Sequence, residues 1–211
     1  MIDLDLLPQR KQYLYHLTSR TNLPSIIHFG TLFSASVLFE LAYGAVAARE
    51  SIRRWRPKSE TIEVEGRKVE IRDQHTLFKK ALPKCLDGIQ VEDYYELLNY
   101  RVFLWPTTPR LSRHYARYAS EKPVLLRFAT GDVLKLNPYV EFSRINSGAT
   151  RPNSRLGGIA PRRGLKTFRS AETWNYRFCD IAEVTIPQKC VLPSTFQSAR
   201  NPDGPWSNIK L

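Results

Sequence analysis

The strongest constraint on the fold is where the two hydrophobic periods fall along the chain. Helical spacings of three and four cluster in the first half, and strand-like runs in the second. That segregation predicts an α+β fold rather than a doubly wound sheet. Residues 13–18, "YLYHLT", read as an opening strand. Thr21 caps a short helix with Pro24 in its first turn, Leu23, Ile26 and Ile27 share one face, and Gly30 ends it. Ser34 caps a longer helix, whose stripe Leu38, Leu41, Ala45, Ala48, Ile52, Trp55 runs on to Pro57. "ETIEVEGRKVEIRD" is a hairpin turning at Glu65-Gly66. A helix over 91–98 leads into a strand over 100–105, stopped by Pro106. "PRLSRHYARYA" is a basic helix, and strands over 123–129 and 180–187 follow, the latter the last clear one. No repeat or linker interrupts the chain, so residues 1–211 are expected to form a single domain.

The chain has 211 residues, with 32 Lys and Arg against 20 Asp and Glu, a net charge of +12. Such an excess attracts polyanions: nucleic acid, anionic lipid or phosphorylated ligands. Seven basic residues and no acid lie between Arg144 and Arg169, among glycines and prolines, which predicts a long, mobile basic loop. The N-terminus lacks the apolar core of a secretory signal, and no apolar run approaches the ~20 residues that span a bilayer. Three scattered cysteines form no CxxC pair, so a cytoplasmic protein without a metal site or membrane anchor is expected. Four separated histidines have no zinc-ligand spacing. GxGxxG, the P-loop and GxSxG are all absent. A nucleotide would therefore have to be held by side chains in a strand-rich cleft.

Two polar residues sit where strands do not ask for them. Glu183 is central in "IAEVTI", where alternation puts Ala182, Val184 and Ile186 on the core face and Glu183 on a face that is wet or lines a site. His16 shares a face of the opening strand with Leu14 and Thr18. Three segments, "YHLTSRTNLPSII", "RVFLWPTTPRL" and "AEVTIP", occur in an order that resembles the DarT-like ADP-ribosyltransferases. These are toxins of toxin–antitoxin pairs that modify DNA bases with NAD. The segments cover 30 residues. "RDQ", "LNYRVFLWP" and "INSGATR" also resemble an uncharacterised bacterial family, which implies no function.

The resemblance implies a split β-sheet core, NAD as cofactor, nucleic acid (DNA rather than RNA) as partner, and an antitoxin protein. It also implies roles for residues. Glu183 would be catalytic, stabilising positive charge as the bond to nicotinamide breaks, with Arg49 assisting. His16, Thr18 and Asn22 would hold NAD, and Arg72 is a second candidate arginine. Apart from the resemblance, the residues themselves make Arg101, at the cleft mouth, and Asn146, Arg151 and Arg155 candidates for holding the substrate, Arg151 by gripping phosphate. Two other functions fit the same residues: ADP-ribosylation of a protein or small molecule, and a basic nucleic-acid-binding module without chemistry. An RNA 2′-phosphotransferase is a lesser alternative, because its arginine and histidine pattern is not evident.

Overall fold

The computed structural model describes residues 1–152 and 158–211. Two four-stranded antiparallel sheets carry an α+β fold. One runs Tyr13–Thr18, Val124–Ala129, Thr195–Ala199, Ser207–Lys210 from edge to edge. The other runs Arg169–Ser170, Glu141–Ser143, Glu183–Pro187, Arg101–Leu104. Their inner faces and the short helices Leu23–Phe29 and Thr130–Leu136 enclose the main core, with Leu14, Leu104, Leu126, Phe128, Phe142 and Val184 buried in it. Among the described residues every α-helix ends by position 136, but the strands do not gather in the second half as expected: 31 strand residues precede position 137 and 24 follow it.

Local chemistry explains the elements around the later site. The opening strand spans Tyr13–Thr18. The helix after it ends at Gly30, whose φ of 58° is the left-handed geometry that glycine adopts without a Cβ clash. The hairpin pairs Glu60–Val64 with Arg67–Ile71. Its two turn residues, Glu65 and Gly66, have φ of 48° and 72°, as a two-residue turn of this hand requires. Asn22 fastens that hairpin to the opening strand. Its amide donates to the Glu70 carbonyl (2.8 Å) and to Thr18 Oγ1 (3.0 Å), and its Oδ1 accepts from the Glu70 N–H (2.7 Å).

Three expectations change. The long helix is two helices, Ala35–Tyr43 and Ala45–Arg53, broken at Gly44 with φ 79° and ψ 157°. The single stripe therefore does not hold across the break: Leu41 of the first helix is exposed, while Ala48 and Ile52 of the second are buried. The strand Glu183–Pro187 is followed by three more, Lys189–Val191, Thr195–Ala199 and Ser207–Lys210. The basic segment is only partly a loop. Arg163–Gly164 pairs in parallel with Leu86–Asp87, and the Arg163 side chain is buried.

Candidate functional site

The two sheets are joined at one point. Tyr15 and Trp105 exchange backbone hydrogen bonds of 2.9 and 2.7 Å, and no further ladder continues from them among the described residues. Continuing that register would set Leu17 opposite Phe103. Instead the strands part, and the Phe103 carbonyl accepts a proton from His16 Nδ1 at 3.0 Å. A carbonyl can only accept, so Nδ1 carries the proton and Nε2 is left as an acceptor. Desolvation holds this imidazole down to about 4, against the hydrogen bond to Phe103 and with help from the charge of Arg72. It is neutral at pH 7. The histidine in the strand therefore stands where the sheet opens, its side chain replacing a backbone donor.

The parting of the sheets leaves a cavity of about 280 Å³, near the small end for ligand sites. His16, Thr18, Asn22, Arg72, Asn146 and Glu183 all line it. Only the strand Arg101–Leu104 lies between the His16 and Glu183 strands.

Glu183 is 1% exposed, and the next three residues of its strand are buried too. The expected alternation of core and wet faces fails here because this inner strand is covered on both sides. Both carboxylate oxygens accept from the Ser147 N–H at 3.2 Å, and one accepts from Ser147 Oγ at 2.7 Å. Burial raises the carboxyl to about 7, opposed by these hydrogen bonds and by the charges of Arg110 and Arg163. Ser147 is fixed in turn. Tyr94, fully buried, donates its hydroxyl to the Ser147 carbonyl at 3.0 Å. Arg163 donates to the Ala149 carbonyl at 3.1 Å, Thr76 Oγ1 donates to the Gly148 carbonyl, and Thr150 Oγ1 accepts from the Phe78 N–H at 2.7 Å. The Ser147 loop is thus a rigid mount for the glutamate.

The arginines sort differently from the sequence expectation. Arg49 is exposed and does not line the cavity, because Ala48 and Ile52 take the buried side of its helix. Arg56 takes the inward place. It is 4% exposed and lines the cavity; its Nε donates to the Arg72 carbonyl (2.7 Å) and its Nη2 to Asn99 Oδ1 (3.3 Å). Nη1 is buried without a partner among the described residues. Burial pulls the guanidinium down to about 10. The available signal was the Arg-Pro step at 56–57, which holds Arg56 extended and turns its side chain off the helix. Arg72 pairs with Glu121 at 2.8 Å and lies over the Tyr118 ring, 4.2 Å from its centroid.

Arg101 lines the cavity, but its guanidinium is spent. It grips Glu141 through two bonds of 2.6 and 3.1 Å, donates to the Leu97 carbonyl and covers Phe168. That engagement argues against its holding a phosphate. Asn22 is likewise committed to the hairpin, whereas Thr18 Oγ1 accepts from Asn22 and keeps its own proton to donate. Arg151 is exposed and outside the lining, and Arg155 lies outside the described residues. His114, missed in the sequence reading, lines the cavity against Trp105, with its Nδ1 buried and unpartnered. Among the described residues no three His, Cys, Asp or Glu side chains are grouped to hold a metal, and no helix is long and apolar enough to cross a membrane.

The chain belongs to a family of unknown function, DUF7002, whose model matches residues 12–193. No curated protein and no solved structure matches it.

Proposed function

We propose that this chain is a cytoplasmic NAD-dependent ADP-ribosyltransferase that modifies nucleic acid, DNA rather than RNA, in a toxin or phage-defence role with an antitoxin as partner. The observation that carries the reading is the convergence of His16 and Glu183, from an early and a late strand, on one cavity where the two sheets part. DNA and the antitoxin come from the sequence resemblance, with the charge of +12 in support.

The unspent groups around the cavity suit a dinucleotide. The unpartnered Arg56 Nη1 asks for an anionic oxygen such as that of a pyrophosphate. The open acceptor Nε2 of the neutral His16 asks for a hydroxyl donor, as a ribose offers. NAD supplies the bond that breaks, the link between ribose and nicotinamide, which leaves positive charge on the sugar. Glu183 would stabilise that charge from a dry wall, where a fixed carboxylate acts more strongly than in water. Its mount on Ser147 keeps it from having to reorganise. The same carboxylate would accept the proton of a ribose hydroxyl in a hydrogen bond and so orient the sugar.

Incubation with adenylate-labelled NAD and single-stranded DNA, RNA or a protein lysate tests this. Label is expected on DNA, and Glu183→Gln and Arg56→Lys are expected to lower it at least a hundredfold. Label confined to protein would refute the nucleic-acid part. No label on any acceptor, together with no thermal shift on adding NAD, would refute the enzymatic reading.

A further inference from the structure

The cavity accounts for one bound molecule and leaves open where a long polyanion would lie. The basic segment 144–169 was the expected track, but its described arginines are mostly committed. Arg163 is buried against Cys85 and Ala149. Arg162 faces Asp87 at 3.7 Å. Arg144 and Arg169 stack on Tyr176 at 4.0 and 5.3 Å.

The helix Thr108–Tyr118 differs. Arg110, Arg113 and Arg117 recur at spacings of three and four, so they share a face. Among the described residues none of them pairs with a carboxylate; Arg113 donates only to the Pro109 carbonyl of its own helix. Burial lowers Arg110, and the charge of Arg113 adds to the effect. Burial likewise lowers Arg117, and there the charge of Arg151 adds to it. Arg110 and Arg113 thus repel each other, as do Arg117 and Arg151, and the carboxylate that answers them is Glu183, beside Arg110. Arg117 lines the cavity, and Arg110 is near enough to Glu183 to favour its ionised form. A surface that keeps like charges together against their own repulsion is built for an external anion.

We infer that the arginine face of helix Thr108–Tyr118, extended by Arg151, is a rail for the phosphate backbone of a nucleic-acid strand and leads that strand to the cavity mouth. This rests on the nucleic-acid reading above and assigns the docking surface within it. Phosphates would lie along the helix, and the strand's next base would face the opening beside Arg117. Base selection would then belong to the cavity, and affinity to the helix.

The test is fluorescence anisotropy of a labelled single-stranded DNA 20-mer without NAD, over a salt series. The triple variant Arg110→Gln, Arg113→Gln, Arg117→Gln is expected to bind about tenfold or more weakly and to lose about 2 from the slope of log affinity against log salt. The lysine triple at the same positions is expected to keep most of that slope, which separates lost charge from lost folding. A control triple, Lys79→Gln, Lys80→Gln, Lys84→Gln, removes the same charge elsewhere and is expected to stay within about twofold. If the arginine triple binds like the wild type, or the control triple loses as much, the rail is wrong. The two claims can fail separately. DNA binding that survives while NAD is never consumed sinks the enzyme, and NAD consumption that survives in an arginine triple still binding DNA normally sinks the rail.

Discussion

Glu183→Gln separates the cost of a buried charge from the fold that carries it. The carboxyl sits at about 7 in the folded chain against an ordinary 4.5, mainly because burial removes water from it. Between those values the folded state holds a proton that the unfolded chain has released. Stability therefore falls as pH rises through that window, and the loss is complete above about pH 7. A displacement of that size is worth about 3 kcal/mol. Glutamine has the same shape and no charge. Its carbonyl accepts from the Ser147 N–H, and its amide donates to Ser147 Oγ. The variant should gain about 3 kcal/mol on the wild type between pH 4.5 and pH 8, while losing activity. Urea unfolding of both proteins at pH 4.5, 6 and 8, followed by the fluorescence of buried Trp105 and Trp174, reads the difference directly. The other titrating groups are common to both proteins and cancel. Parallel stability profiles would show that Glu183 is ionised at no cost, and the argument for a dry, strongly acting carboxylate would fall.

Three further substitutions probe the frame around that site. Tyr94→Phe leaves the Ser147 carbonyl without its buried donor, and should cost about 1–3 kcal/mol in chemical unfolding and lower turnover with little change in NAD affinity. Asn22→Ala removes its two bonds to Glu70 of the hairpin and its one bond to Thr18 of the opening strand. It should cost about 2–4 kcal/mol and speed amide exchange at Glu70, measured by hydrogen-exchange mass spectrometry. Gly44→Ala meets no neighbouring atom but must adopt φ 79° and ψ 157°, a region that side chains avoid. The strain should lower stability by about 1–3 kcal/mol, as a thermal melt will show.

The parts of this molecule legible in the sequence are those fixed by local chemistry. The opening strand, the Glu65-Gly66 hairpin, the helix stopped at Gly30 and the strand Arg101–Leu104 each follow from alternation or from a residue with a special backbone preference. His16 and Glu183 stood out because a polar residue in mid-strand violates the pattern around it. What was not legible depends on partners far along the chain. Arg101 offered no sign that Glu141, forty residues on, would take both edges of its guanidinium. Arg49 faces solvent because Ala48 and Ile52 take the buried side of a helix whose start, at the Gly44 break, a continuous apolar stripe concealed, whereas Arg56 lies beyond the end of that helix at Arg53. Tyr94 and Ser147 look like an ordinary core tyrosine and a loop serine until the glutamate is placed between their elements.

The same dependence on distant partners explains why net charge was a poor guide to position. An excess of twelve positive charges says that a polyanion is attracted, and the acid-free stretch with the most basic residues looked like its track. Density along the chain does not measure availability, because a guanidinium that is buried, stacked or paired contributes little to the field outside. Once Arg101, Arg162 and Arg163 are assigned to Glu141, Asp87 and the Cys85 neighbourhood, the uncompensated charge beside the cavity falls on one helix. Its sequence, "PRLSRHYARYA", is shorter than that segment and about as basic per residue, but its periodicity gathers its arginines on one side, with no acid on the helix itself to answer them. The feature to seek in such a chain is therefore helical spacing of basic residues without acidic companions, rather than the longest basic run.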